Sequence, residues 1–290
     1  MTELSIIIVT WNSEDEITSC VESIKRNTAD IRAELIIIDN NSSDNTPSVL
    51  KRINYPNIQV YLNKENTGYT KAVNQGAGYA SGDYIFLLNP DTVLADNTLK
   101  QLTDFLKNNN SYGACAPRLV NEDGTVQYSI RHFPDFRDMY FEFTLLSYFF
   151  PESSYFGRWK MKCFDYSKDT DVDQPMAAAL MIQKNVLEEV NNMDERFFMF
   201  FNDVDLCRRI WETGYKIRYL SAPEIVHKKG ASIYKDRIKM IKIWDKDCLK
   251  YFSKYHQNSL LLFWLKVNLK ISELIRIIFY RLFHEKHKQV

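Results

Sequence analysis

Asp91 has the clearest chemical placement in this sequence. It follows Tyr84-Ile-Phe-Leu-Leu-Asn-Pro90, in which Ile85 to Leu88 are all apolar, as suits a strand covered on both faces. Pro90 cannot donate a ladder hydrogen bond, so the strand should stop there. That sets Asp91 at a strand's carboxyl end, where α/β sheets bind ligands. A carboxylate in that place is suited to hold a divalent cation against a phosphate. A second polar cluster, Asn202-Asp203-Val-Asp205, follows the aromatic run Phe197-Phe-Met-Phe-Phe201. Leu206, Cys207, Ile210 and Trp211 then recur at helical spacing, and Gly214 supplies a stop. Asn202 and Asp203 therefore begin a helix, where capping is the ordinary use of both residue types. The aromatic approach and the third polar group, Asp205, argue for a functional cluster instead. His227 opens a further motif, His227-Lys-Lys-Gly-Ala-Ser232; taken alone, such a histidine is more often structural.

The elements that must position these residues alternate. Leu4–Val9, Leu35–Ile38 and Ile58–Leu62 are further apolar strand candidates, ending in Thr10-Trp-Asn12, Asp39-Asn-Asn-Ser-Ser-Asp44 and Asn63-Lys-Glu-Asn-Thr-Gly68. Ser13 and Glu16 match a capping box before the helical spacing of Ile17, Val21 and Ile24. Thr46-Pro47 reads as a cap with proline in the first turn. A helix is predicted from Tyr69 to Ala80 with Gly82 as its stop, and another capped at Asp96 with Leu99, Leu102 and Leu106 on one face. Strand and helix in turn over the first hundred residues are the signature of a parallel α/β sheet. Asn121-Glu-Asp-Gly124 signals a hairpin near 118–131. Residues 133–164 read as an irregular, partly helical flap rich in aromatics. Strand character returns from Val172 to Ile182, where Ala177–Ala179 would admit a ligand or another backbone, or simply pack tightly. Tyr215–Leu220 is a short strand leading through Pro223 to His227.

Composition narrows the class. With 290 residues, 45% hydrophobic and 26% charged, the chain reads as soluble and globular. A formal net charge of zero leaves no footprint for general nucleic-acid binding. The five cysteines contain no CxxC pair, which argues against structural zinc and disulfides and for reduced thiols in a cytosol. The N-terminus enters a strand with no basic-then-apolar leader, so a cytoplasmic location is expected.

Taken in order, six stretches carry a resemblance: Ile8-Val-Thr-Trp-Asn12, Ile38-Asp-Asn-Asn-Ser-Ser-Asp44, Asn66-Thr-Gly-Tyr-Thr-Lys-Ala-Val-Asn74-Gln-Gly76, Leu87-Leu-Asn-Pro-Asp-Thr92, Phe197-Phe-Met-Phe-Phe-Asn-Asp-Val-Asp-Leu206 and His227 through Ser232. The set resembles family 2 glycosyltransferases of the GT-A fold, in particular the bacterial rhamnosyltransferase-like branch. No piece is decisive alone; the ordered set, covering residues 4 to about 232, is specific. The resemblance implies a mainly parallel central sheet flanked by helices, a donor-binding half over about 1–115, an acceptor and catalytic half over about 116–235, and a C-terminal helical tail over 236–290. It implies that Asp39 binds the nucleotide base, accepting the N3–H that uracil and thymine both carry, with Thr10 and Asn12 beside it. Asn66 and Asn74 would line the ribose and diphosphate, and Lys71 would add charge there or stand as a solvated lysine. Asp91 corresponds to the last aspartate of the DxD motif and His227 to a histidine completing a Mg²⁺ or Mn²⁺ site. Asp203 corresponds to the general base of a single inverting displacement, with Asn202 and Asp205 in support.

Two departures matter. Asn89 stands where the DxD motif begins with a carboxylate, which leaves less negative charge for the metal. Asn202 replaces an acidic residue found in many relatives, as in the rhamnosyltransferase-like branch. Ala177–Ala179 also replaces a more usual glycine.

The tail from Ser259 carries Lys266, Lys270, Glu273 and Arg276 on one helical face, with Trp264, Phe279 and Tyr280 among the remaining apolar residues. Charges this frequent argue against a membrane span. An interfacial helix with a basic face fits; docking on its own domain or at a homo-oligomer interface fits nearly as well. The expected partners are a nucleoside-diphosphate sugar, dTDP-rhamnose ahead of UDP-hexoses, and an oligosaccharide or polyprenyl-linked saccharide acceptor at the inner face of the cytoplasmic membrane. Two other readings compete. A nucleotidyltransferase would need a glycine-rich basic loop after the first strand, and Thr10-Trp-Asn-Ser-Glu-Asp15 is neither. A catalytically silent nucleotide-sugar-binding scaffold is favoured by Asn89 alone.

Overall fold

The computed structural model describes residues 2–228 and 236–284. Residues 229–235, with the end of the His227 motif and the expected tail boundary, and 285–290 lie outside the described residues. In chain order the first half comprises β1 (Leu4–Thr10), α1 (Ile17–Asn27), β2 (Ala33–Asp39), α2 (Thr46–Leu50), β3 (Ile58–Leu62), α3 (Tyr69–Tyr79), β4 (Tyr84–Leu88), β5 (Thr92–Leu94), α4 (Thr98–Asn108) and β6 (Tyr112–Val120). The second half continues with β7 (Ile130–Arg131), α5 (Phe136–Phe143), α6 (Leu146–Phe149), β8 (Thr170–Asp171), β9 (Gln174–Pro175), β10 (Ala179–Gln183), α7 (Lys184–Glu189), α8 (Asn202–Glu212), β11 (Lys216–His227), α9 (Arg237–Tyr255) and α10 (Ser259–His284).

The central sheet runs β3-β2-β1-β4-β10-β6-β11-β5, with β8 added against β11. β1 lies parallel between β2 and β4, and β6 parallel to β11, whereas β10, β5 and β8 run antiparallel to their neighbours. Consecutive strand residues face opposite sides. Ile7, Val9, Ile36 and Ile38 enter one core layer; Ile6, Ile8, Leu35 and Ile37 enter the other. Both faces are buried, which is why the strands read as unbroken apolar runs. Each such Ile or Leu contributes about 1.5–3 kcal/mol. The register sets Thr10 beside Asp39 and Ile8 beside Leu88, so the carboxyl ends of β1, β2 and β4 emerge along one edge.

Several local expectations change. The Ser13–Glu16 capping box does not form: Glu16 is already helical in φ and ψ, and the Ser13 hydroxyl accepts from the Trp11 N–H at 3.4 Å. Asn97, in a left-handed conformation, precedes α4 in place of Asp96. Asn45 takes the cap position of α2, with Thr46 as its first residue. Gly82 is no helix stop; a Cβ there would lie 2.7 Å from the Ser5 backbone nitrogen, so glycine lets the chain cross β1 closely. The Asn121–Gly124 turn is present, with Gly124 at φ +80°, yet only the bridge from Val120 to Val126 closes it. The returning strand β7 pairs with β9 instead. β11 is one strand through Pro223, its register shifting between Tyr219 and Glu224. The aromatic segment 133–164 carries α5 and α6 and packs through Met139 and Trp159 with Phe201, Tyr251, Phe252 and Leu265 in a third cluster.

Candidate active site

A cavity of about 380 Å³ opens where the ends of β1, β4 and β11 meet the start of α8; Asn89, Asp91, Asp203 and His227 all line it. Asp91 follows β4 as the sequence predicts. Pairing of β5 with β11 sets His227 opposite Thr92, bringing His227 Nε2 to 3.4 Å from Asp91 Oδ1. Gln127 fixes the imidazole. Its Nε2 donates to the His227 carbonyl at 2.6 Å and to Asn121 Oδ1 at 2.8 Å. Its Oε1 must therefore be the atom 3.0 Å from His227 Nδ1, so Nδ1–H donates to it and Nε2 is the ring nitrogen that faces Asp91. A carboxylate and an imidazole nitrogen this close can share a cation, and an outer hydrogen bond orienting a histidine is the usual support of a metal ligand. Among the described residues no group of three or more His, Cys, Asp or Glu side chains could hold a metal. Two protein ligands completed by phosphate oxygens nonetheless suit Mg²⁺ or Mn²⁺. Asn89 lines the cavity with its N–H bonded to Ala178 O at 2.9 Å.

Asp203 enters from the first turn of α8. Phe201 takes the cap position of α8 at φ +58°, so Asn202 and Asp203 are first-turn residues and not caps. Asp203 Oδ1 accepts from the Val204 N–H at 2.9 Å and Oδ2 from Gln174 Nε2 at 3.1 Å. Burial pushes its carboxyl pKa above the ordinary range, and the charge of Arg131 pulls in the opposite direction. Arg131 and Gln174 are cross-strand partners of β7 and β9, so they share one face of that ribbon, and both line the cavity. Asn202 is buried, donating to Thr70 Oγ1 at 3.3 Å and Met199 O at 2.9 Å. Asp205 is fully buried outside the cavity and holds Arg209, Lys254 and Tyr255 at 2.8, 2.5 and 2.8 Å.

The residues expected at the nucleoside divide into two groups. Asn66 lines the cavity, its Oδ1 accepting from Gly68 N–H and Asn40 Nδ2 at 3.0 and 3.1 Å. Asp39 is 1% exposed; its carboxylate accepts from Thr10 Oγ1, Ser42 Oγ and Ser42 N–H at 2.9, 2.5 and 3.0 Å. Thr10 is thus a brace for Asp39, and Asn12 braces the same loop by accepting from Ser43 N–H at 2.7 Å; none of the three lines the cavity. Lys71 stands exposed on α3. Asn74 exchanges hydrogen bonds with the Met193 backbone at 2.9 and 3.0 Å and does not line this cavity, so it pins the 193–195 loop to α3. The sequence reading missed Asn40, Gln127, Arg131 and Gln174, and also Trp159, Met240 and Trp244, whose side chains wall the cavity. Only Asn40 had a signal, as part of the Asp39-Asn-Asn motif.

A large, mostly parallel sheet with a cavity at its carboxyl edge, lined by a carboxylate–imidazole pair and by the half-buried carboxylate of Asp203, is the architecture of a GT-A glycosyltransferase. The chain belongs to Glycosyl transferase family 2, whose profile matches residues 5–168. It is 26% identical over 246 residues to the N-acetylglucosaminyl-diphospho-decaprenol L-rhamnosyltransferase of Mycobacterium tuberculosis (strain CDC 1551 / Oshkosh), covering 80% of this chain and 78% of that protein. It is also 26% identical to the rhamnosyltransferase WbbL of Escherichia coli (strain K12), covering 77% and 82%. The mannosyltransferase PcManGT of Pyrobaculum calidifontis, solved with GDP-Man and Mn²⁺, superposes with a TM-score of 0.59 at 16% identity, covering 94% of this chain and 74% of that one. Among the described residues no helix is long and apolar enough to cross a membrane.

Proposed function

We propose that the protein is an inverting, metal-dependent hexosyltransferase that moves rhamnose from dTDP-rhamnose to a polyprenyl-diphosphate-linked saccharide in cell-surface polysaccharide synthesis. The observation that carries this reading is that one cavity is lined both by the paired Asp91 and His227 and by Asp203. Asp203 takes the proton of the acceptor hydroxyl while that oxygen attacks the anomeric carbon and the nucleoside diphosphate departs. Its raised pKa makes it a better base once ionised, and Gln174 holds it in place. A divalent cation bound by Asp91 and His227 would neutralise charge on the leaving diphosphate. Asp39 meets the base by exchanging its Ser42 hydroxyl partner for the N3–H. The two rhamnosyltransferase relatives favour rhamnose, and one of them is named for a lipid-diphosphate acceptor.

The tail supports a membrane-facing role. α10 docks on α9 and α5 through Leu265 and Leu269. Its presumed basic face is partly an inner contact, since Arg276 pairs with Asp245 of α9 at 2.5 Å. Leu260, Phe263, Val267, Ile271, Leu274, Ile278 and Leu282 recur every three or four residues, each at least 40% exposed. Exposed Lys266, Lys270 and Arg281 flank this stripe, the composition of a helix lying in an anionic interface. On this reading the enzyme works at the membrane surface, where its acceptor is embedded.

The test is a donor-binding titration with dTDP-rhamnose, UDP-galactose, UDP-glucose and GDP-mannose, each with and without Mn²⁺. Mn²⁺-dependent binding of dTDP-rhamnose, lost in Asp91→Ala and kept in Asp203→Ala, is expected. Preference for a UDP-hexose would move the donor assignment, and binding of none of them by folded protein would leave a silent scaffold.

A further inference from the structure

Phe201 enters α8 in a left-handed conformation, φ +58°, which is costly for an aromatic residue and persists only where its surroundings over-determine it. The preceding residues show what determines it. The backbone N–H groups of Phe198, Met199 and Phe200 all donate to one oxygen, Oδ2 of Asp247, at 3.0, 3.0 and 3.1 Å. Successive N–H groups converging on one anion make a concave nest that sets the turn. Asp247 sits on α9 with no exposed surface, and its other oxygen accepts from Lys250 at 2.9 Å. The carbonyl side of the same turn is tied to the opposite half of the molecule, Phe198 O accepting from the Tyr69 N–H at 2.8 Å.

We propose that Asp247 is a positioning residue for glycosyl transfer: acting from α9, it shapes the 198–201 turn that aims Asp203 into the cavity. The helix after residue 236 is then part of the catalytic apparatus and not an appendage. The inference rests on the reading of Asp203 as the base. Without the carboxylate, three half-buried N–H groups lose their common acceptor and the turn opens. The first turn of α8, two residues on, moves with it. A displacement near 1 Å is enough to cost about 10²-fold in rate. Donor binding, which depends on the β1, β2 and β4 edge, stays as it was.

The test compares Asp247→Asn, Asp247→Leu and Asp203→Asn in the full chain. The measurements are thermal melting, dTDP-rhamnose affinity, and the rate constant for dTDP release from the bound donor by transfer or hydrolysis. Asp247→Leu should lower the rate constant about 10²-fold with donor affinity within about twofold. Asp247→Asn, which keeps an oxygen for the nest, should fall between it and wild type. Should Asp247→Leu not fold, the same split between rate and affinity in Asp247→Asn decides. Wild-type rate constants in the folded variants, or rate and donor affinity falling together, would overturn the proposal. Should Asp203→Asn be inactive while the Asp247 variants match wild type, the positioning role alone falls. Full activity in Asp203→Asn removes the base assignment and this inference with it.

Discussion

Gln127 offers a sharp test of the cation site because it touches the candidate ligand without entering the cavity lining. It is 4% exposed and bonds both His227 Nδ1 and the His227 carbonyl, at 3.0 and 2.6 Å. Gln127→Met leaves those two buried groups without partners, each at a cost of about 1–3 kcal/mol. The lower end applies because the cavity lies alongside and water can reach in, so about 2 kcal/mol is expected. For a chain of this length that is a fall in Tm of roughly 4 °C. The second effect is specific. With Nδ1 no longer anchored, the imidazole loses its orientation and tautomer, and outer-shell losses of this kind cost about 10–100-fold in metal affinity. The assay is the initial rate against Mn²⁺ concentration at fixed donor, with melting alongside. Gln127→Glu separates the two effects: a carboxylate still accepts from Nδ1–H, so the Mn²⁺ half-saturation should recover while the lost donation to the His227 carbonyl keeps Tm low. A half-saturation unchanged in Gln127→Met, despite the expected drop in Tm, would refute the assignment of His227 Nε2 as a cation ligand.

Two further outcomes follow from the same geometry. Burial raises the pKa of Asp203 and Arg131 lowers it, and a base proposed at Asp203 must be ionised to act, so activity should be lost as pH falls through that pKa; Arg131→Gln should move the acid limb of the kcat/KM profile to higher pH, and a shift to lower pH would contradict the electrostatic pairing. Ile271→Asp with Ile278→Asp removes two exposed residues from the α10 stripe, each worth about 1.5–3 kcal/mol when buried, so co-flotation with phosphatidylglycerol-containing vesicles should fall at least about 100-fold, whereas equal flotation would place the membrane contact elsewhere.

What the sequence made legible, and what it did not, divides by how each residue is positioned. Asp91 and Asp203 were readable because each closes or opens a periodic element: an apolar strand ending at proline, and a helical face beginning after an aromatic run. Such signals lie within a dozen residues of the group they place. Thr10 and Asn74 sit in equally good motifs yet serve as braces. Whether a polar residue at a strand end faces a ligand or its neighbour depends on register, here Thr10 against Asp39, and register is a property of two segments. Gln127 had no local signal, since its partner His227 lies 100 residues away. Asp247 was hidden more thoroughly. In Trp244-Asp-Lys-Asp-Cys-Leu-Lys250 it looks like one charge of a solvated helix face, and its bonds to Phe198–Phe200 span nearly fifty residues. The proposed base is therefore local in sequence while the contacts proposed to aim it are not. A chain ending near 235 would keep Asp39, Asp91, Asp203 and His227 yet lose the nest at Asp247, together with the Met240 and Trp244 walls of the cavity.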